Sequence, residues 1–173
     1  MALDIVVQSL LRVELFAGLK PLQLAELARR SDRIVYKPGD SIITEGAIGD
    51  AAVLIVAGEA VRISGPALST PAEPVAEGSF VGEMAMLIET EHSSTVVART
   101  PTRAIRLTRA AVLEQIAADP SIANHLSRKL ARRLHDVAGH LRRIDETLAR
   151  LDLPFEPILA AFDRRFLASA QVH

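Results

Sequence analysis

No cysteine and no tryptophan occur anywhere in this chain. The first absence excludes disulfides, thiolate metal sites and a cysteine nucleophile together. Aromatic residues make up only 3% of the sequence, so its core must be built from Leu, Ile, Val and Ala. Neither sign of charge dominates: 20 Lys and Arg stand against 21 Asp and Glu, a net charge of −1. Such a balance gives no global attraction to nucleic acid or to an anionic membrane. No apolar run approaches the ~18 residues of a membrane span. The opening MALDIVVQSLLRVELF carries Asp4 and Glu14 and lacks the basic-then-apolar order of a signal peptide. These absences predict a soluble, cytoplasmic protein. They also argue against an enzyme that uses a nucleotide loop or a metal. No glycine-rich phosphate loop is present, and the five histidines show no ligand spacing beyond His135 and His140, five apart on a helix.

What is present is a 49% apolar chain of 173 residues, enough for one domain with an appended helical segment. Three periodicities divide it. Residues 1–31 read as two helices, with Val6, Leu10 and Leu11 at helical spacing and Pro21 at a first-turn position. Between them, Leu15-Phe16-Ala17-Gly18-Leu19 reads as a turn that plugs onto the layer beneath. Residues 32–107 alternate like short strands punctuated by Gly and Pro, which predicts an antiparallel barrel or sandwich. The stretch GPALSTPAEP, 65–74, reads as a surface loop. Residues 108–153 turn helical again, with Thr108 as an N-cap and a long helix from Pro120 to about Leu151. Its apolar positions Leu130, Leu134, Val137, Leu141, Ile144, Leu148 and Leu151 alternate steps of four and three, the seam of a helix packed along a partner helix. Residues 154–173 read as a short amphipathic tail.

The pieces LFAGL, KPGDSIITEGAIGDAAVLIVAGEAVRI, EGSFVGEMAML, STVVA and DPSIANHLSRKLARRL stand in this order. With them the chain resembles the cyclic-nucleotide-binding domain family, the effector domain of catabolite-activator-type regulators and of kinase regulatory subunits, over roughly residues 10–150. The resemblance implies an α+β fold: an antiparallel β-barrel or jelly roll flanked by N-terminal helices and a long C-terminal helix. It also implies a phosphate-binding cassette at 80–98. Gly39, Gly46 and Gly58 read as turn formers of the barrel.

Within the cassette, the resemblance makes Gly82, Glu83, Met84 and Ala85 the start of a short helix whose N–H groups face a cyclic phosphate. Glu83 would accept from a ribose hydroxyl, or else simply complement the helix dipole. The family then places an arginine near the far end of the cassette, because a guanidinium forms a charged fork to phosphate. Counting from Glu83 lands on His92, with Glu91 in the preceding proline position, and a shift by one gives Ser93. The fixed cation is missing. An imidazole, with an unperturbed pKa near ~6.5, offers one N–H and a charge only in acid. Ser93, Ser94 and Thr95 add hydroxyls, which read equally as ordinary strand residues. Arg62, Arg99 and Arg103 are the nearest barrel cations, and their orientation is not legible in the sequence.

By the same resemblance, the long helix pairs two subunits and lids the pocket. Leu134, Val137, Leu141, Ile144 and Leu148 suit a homodimer seam, and Arg132 and Arg133 are candidate lid residues. The cations of this region flank the seam without interleaved aromatics, so they do not read as a nucleic-acid surface. The twenty residues after Leu153 are too few for the winged helix-turn-helix of the transcription regulators, so direct DNA binding is not expected. Phe155, Ile158, Phe162 and Phe166 would present an apolar face to a partner protein. The leading reading is thus a dimeric sensor without cofactor, binding cAMP, cGMP, a cyclic dinucleotide such as cyclic di-GMP, or another anionic ligand. The competing reading is a ligand-free dimerisation scaffold on a degenerate pocket.

Overall fold

The structure, a computed structural model, describes residues 3–64 and 72–149. It divides into two compact units, Met1–Leu126 and Ser127–His173, the division falling within the last helix. Helices α1 (Leu3–Leu11) and α2 (Pro21–Arg29) come first, joined through a 3-10 turn at Glu14–Phe16. Ten strands follow: β1 (Asp32–Tyr36), β2 (Ser41–Ile43), β3 (Ile48–Gly49), β4 (Ala51–Ala57), β5 (Ala60–Ile63), β6 (Glu73–Val75), β7 (Phe80–Val81), β8 (Thr90–Glu91), β9 (Thr95–Ala98) and β10 (Thr102–Thr108). Helices α3 (Arg109–Ala118) and α4 (Ser121–Ala149) complete the described chain.

The strands form two four-stranded antiparallel sheets, in orders β1-β10-β4-β7 and β2-β9-β5-β6, with β3 and β8 as a separate two-stranded ribbon. This is the α+β jelly-roll arrangement with flanking helices that the resemblance implies. The core is aliphatic, as the scarcity of aromatics requires: Ile42, Ile43, Val53, Ile55, Val81, Val96, Ala98 and Ala104 interlock between the sheets. The Phe16 plug is fully buried and meets the Phe80 ring edge-on, with centroids 5.5 Å apart. Phe80 is the first residue of the 80–98 cassette, so the N-terminal turn braces the start of that segment.

Helix starts follow their local chemistry. The Thr108 hydroxyl accepts the Ala111 N–H at 3.2 Å and caps α3. At α4, the Asp119 carboxylate accepts from Ser121 N–H (3.0 Å) and from Ser121 Oγ–H (2.6 Å), while Gln23 Nε2 of α2 donates to it at 2.7 Å. His125 Nε2 lies 3.1 Å from the Leu15 carbonyl and docks the beginning of α4 on the same turn.

Two expectations need correction. The loop at 65–74 ends earlier, because Glu73–Val75 pairs with β5 as a strand. Pro74 is tolerated there because β6 is the sheet edge, where no neighbour needs its missing N–H. The cassette also does not open a helix. Residues 83–87 form successive turns, with Ala85 N–H bonding to Gly82 O and Ile88 N–H to Met84 O. Thr90 already enters β8, so no chain is left for a second turn. Strands β1, β2, β4 and β5 all lie within the stretch 32–107 that reads as short strands. Leu151, the tail 154–173 and most of the 65–74 loop lie outside the described residues.

Candidate functional site

The cassette lies between β7 and β9. Gly82 follows β7 with φ +70, a conformation that side-chain-bearing residues rarely adopt. A Cβ there would stand 3.1 Å from both the Ala51 carbonyl and His92 Cε1. Gly49, at the end of β3, is tighter still. A Cβ would reach 2.5 Å from Ala85 Cβ and 2.6 Å from His92 Cε1 and Nε2. The His92 ring therefore lies in a cleft between two glycines and against Ala85. Strand pairing holds it there: His92 N–H donates to Ala47 O at 3.0 Å, and its carbonyl accepts from Gly46 N–H at 2.9 Å.

The structure thus brings together three of the residues singled out in the sequence, Gly82, Ala85 and His92. Glu83 is half-buried beside them, and the Met84 side chain points toward solvent at 43% exposure. Ser93 is exposed, whereas Ser94 is buried. The Thr95 hydroxyl oxygen accepts the Glu45 N–H at 3.0 Å, so its first role is to pin the turn between β2 and β3. Arg132 and Arg133 are exposed residues of the second unit. In that same unit Leu134, Val137 and Ile144 are exposed, while Leu141 and Leu148 are half-buried.

Behind the cleft, the corner Gly49-Asp50-Ala51 is fixed by two arginines. Arg106 donates both of its bonds from Nη2 to Asp50, at 2.7 and 2.6 Å, and reaches Asp32 at 3.4 Å. Burial opposes the Arg106 charge, but the Asp50 bonds and the charges of Asp50 and Asp32 more than offset it, so its pKa is raised. Arg109 N–H donates to Asp50 O at 2.6 Å and Nη2 to Gly49 O at 3.4 Å. These groups set the backbone position against which the imidazole rests.

Sequence reasoning missed Gly49, because nothing local marks it as the floor beneath His92. It also left three barrel arginines without orientation. Arg99 and Arg103 are exposed, whereas Arg62 is half-buried. The strand alternation held the answer for Arg62, since Ala60 of the core shares its face. Among the described residues, no group of three His, Asp or Glu side chains is placed to hold a metal ion. No described helix is long and apolar enough to cross a membrane.

Residues 33–119 match the family model described as cyclic nucleotide-binding domain. Over 97 residues, the chain is 38% identical to the cAMP-dependent protein kinase regulatory subunit of Aspergillus fumigatus, covering 56% of this chain and 23% of that protein. It therefore spans about a quarter of the length of that relative. It is 33% identical over 125 residues to the cyclic AMP receptor protein of Thermus thermophilus, covering 70% of this chain and 57% of the other. In three dimensions it resembles the N-terminal domain of a transcriptional regulator from Streptomyces coelicolor, with a TM-score of 0.70 and 25% identity, over 76% of this chain and 93% of that domain.

Proposed function

We propose a function from one premise: the chain belongs to the cyclic nucleotide-binding domain family. On our reading it is a sensor module, not an enzyme. It binds a cyclic mononucleotide, a cyclic dinucleotide or a related anionic ligand, and signals through its C-terminal helices to a partner protein. The observation that carries this reading is the His92 ring set against Gly82 and Gly49, where the resemblance puts the phosphate. Backbone N–H groups of the turn at 82–85 and the imidazole N–H would receive the ligand, with Glu83 toward its ribose and Ser93 to Thr95 as hydroxyl donors. The missing guanidinium weakens such a site: losing a charged hydrogen-bonded partner commonly costs ~2–5 kcal/mol.

The exposed Leu134, Val137 and Ile144 support a second copy of this chain as the partner of α4. They lie on the three-four seam, whose apolar face gains from burial against an identical seam. In such a dimer, Arg132 and Arg133 would serve as the lid. A ligand shifts this assembly only if it prefers one arrangement of the helices.

The test is a thermal-shift panel with cAMP, cGMP, cyclic di-GMP and cyclic di-AMP between pH 5.5 and 8, run on the wild type and on His92→Arg. A ligand at a hundred times its Kd stabilises by about 2.7 kcal/mol through mass action. The expected result is a rise in melting temperature for at least one nucleotide, with a further gain of about ten-fold or more in affinity for His92→Arg. A flat panel for both proteins would instead favour a ligand-free scaffold, its cleft filled by its own imidazole.

A further inference from the structure

One end of the β2-β9-β5-β6 sheet carries an open hollow of about 560 Å³, within the ~300–1,000 Å³ of small-molecule sites. Strand alternation decides which residues look into it. Ala60, Val75 and Ala98 are buried in the core, so their chain neighbours Val61, Pro74, Glu59 and Arg99 leave the backbone on the opposite, outer side. All four line the hollow. Val61 and Pro74 stand directly across the ladder from each other and make an apolar floor. Glu59 and Arg99 are exposed beside that floor and carry opposite charges.

Both charges are rooted in one rigid platform. Glu59 O accepts from Arg99 N–H at 2.8 Å and from Thr100 N–H at 3.3 Å, while Glu59 N–H donates to Thr100 Oγ1 at 2.9 Å. These bonds stitch the turn between β4 and β5 to the turn between β9 and β10. Gly58 permits the approach, since a Cβ there would stand 2.7 Å from Pro101 O. Glu59 and Arg99 therefore leave the backbone at neighbouring points. Their side chains nevertheless form no ion pair with each other or with any other described residue.

We propose that this hollow binds an aliphatic α-amino acid in its zwitterionic form. Such a molecule carries a carboxylate and an ammonium on one carbon, the spacing that two adjacent and opposite charges demand. The Arg99 guanidinium takes the ligand carboxylate in a two-bond fork. The ammonium, which only donates, meets the Glu59 carboxylate. The aliphatic group rests on Val61 and Pro74. A simple carboxylic acid is repelled by Glu59 and a simple amine by Arg99, so the pair requires both charges of its ligand. Because the stitched turns fix where both side chains begin, little backbone ordering opposes binding. The hollow shares no residue with the cleft of Gly49, Gly82 and His92, so this inference stands apart from the sensor reading.

The experiment follows backbone amide signals of the full chain by NMR, without nucleotide, during titration with millimolar L-leucine. Two analogues serve as controls: 4-methylpentanoate lacks the ammonium and 3-methylbutylamine lacks the carboxylate. L-leucine should shift the signals of Glu59 to Val61, Val75, Arg99 and Thr100, and each analogue should bind about ten-fold or more weakly. Arg99→Gln and Glu59→Gln should each weaken L-leucine by a similar factor while leaving the melting temperature of the unliganded protein unchanged. No shift with L-leucine overturns the inference, as do shifts elsewhere in the chain only. Equal binding of the analogues, or L-leucine binding undiminished in both variants, overturns it as well.

Discussion

At the scale of single residues, the cleft works by leaving side chains out. Gly49 and Gly82 let one aromatic ring approach two backbone segments at once, and Ala85 closes the third side with a methyl. Of the two glycines, Gly49 is the stricter, because the atom its Cβ would strike belongs to Ala85, which has no torsion by which to withdraw. Gly49→Ala should therefore destabilise the barrel by about 1–3 kcal/mol, as overpacking of a close-packed site does. Urea unfolding measures this directly, and an unchanged midpoint would show that the cleft yields easily. The family resemblance made Gly82 and His92 legible as candidates. It did not make Gly49 legible, because the contact joins residues far apart in the chain.

Among elements, Gln23 of α2 ties the start of α4 through the Asp119 carboxylate and the Ser121 hydroxyl. Asp119 accepts from Ser121 at the start of α4 and from Gln23 of α2, and these bonds hold its pKa below the ordinary carboxylate value. A group with a lowered folded-state pKa contributes stability that is complete above its unfolded value, ~3.9 for Asp, and that disappears as pH falls from there through the lower folded value. Asp119→Asn should thus lower the melting temperature at pH 7, and its deficit relative to the wild type should shrink once both are acidified below that window. A deficit of equal size at both pH values would assign the effect to shape and not to charge. The N-cap role of Thr108 is visible in sequence, since capping is a short-range bond. The Gln23–Asp119 bond links residues 96 apart and is not.

For the whole molecule, the open question is what the seam of α4 packs against. Leu134 is 69% exposed and Val137 48%, a solvation cost that a second seam would remove. Leu141→Glu puts a charge into the middle of that stripe. In sedimentation it should convert dimers to monomers at micromolar protein, and an unchanged mass would remove the second copy as the partner. The cassette turn should survive this change, so circular dichroism should show the fold retained.

The period-two strands and the glycine-punctuated turns were determined by the sequence itself, because period, turn chemistry and capping act over a few neighbouring residues. Tertiary structure alone decided that the His92 ring rests on Gly49, that Arg106 grips Asp50 and that Arg62 stands between Val96 and Glu73 in the ladder. Each of these is a matter of strand register and sheet closure, which bring together segments that no local pattern connects; a shift of one residue in register would turn Arg62 to the opposite face.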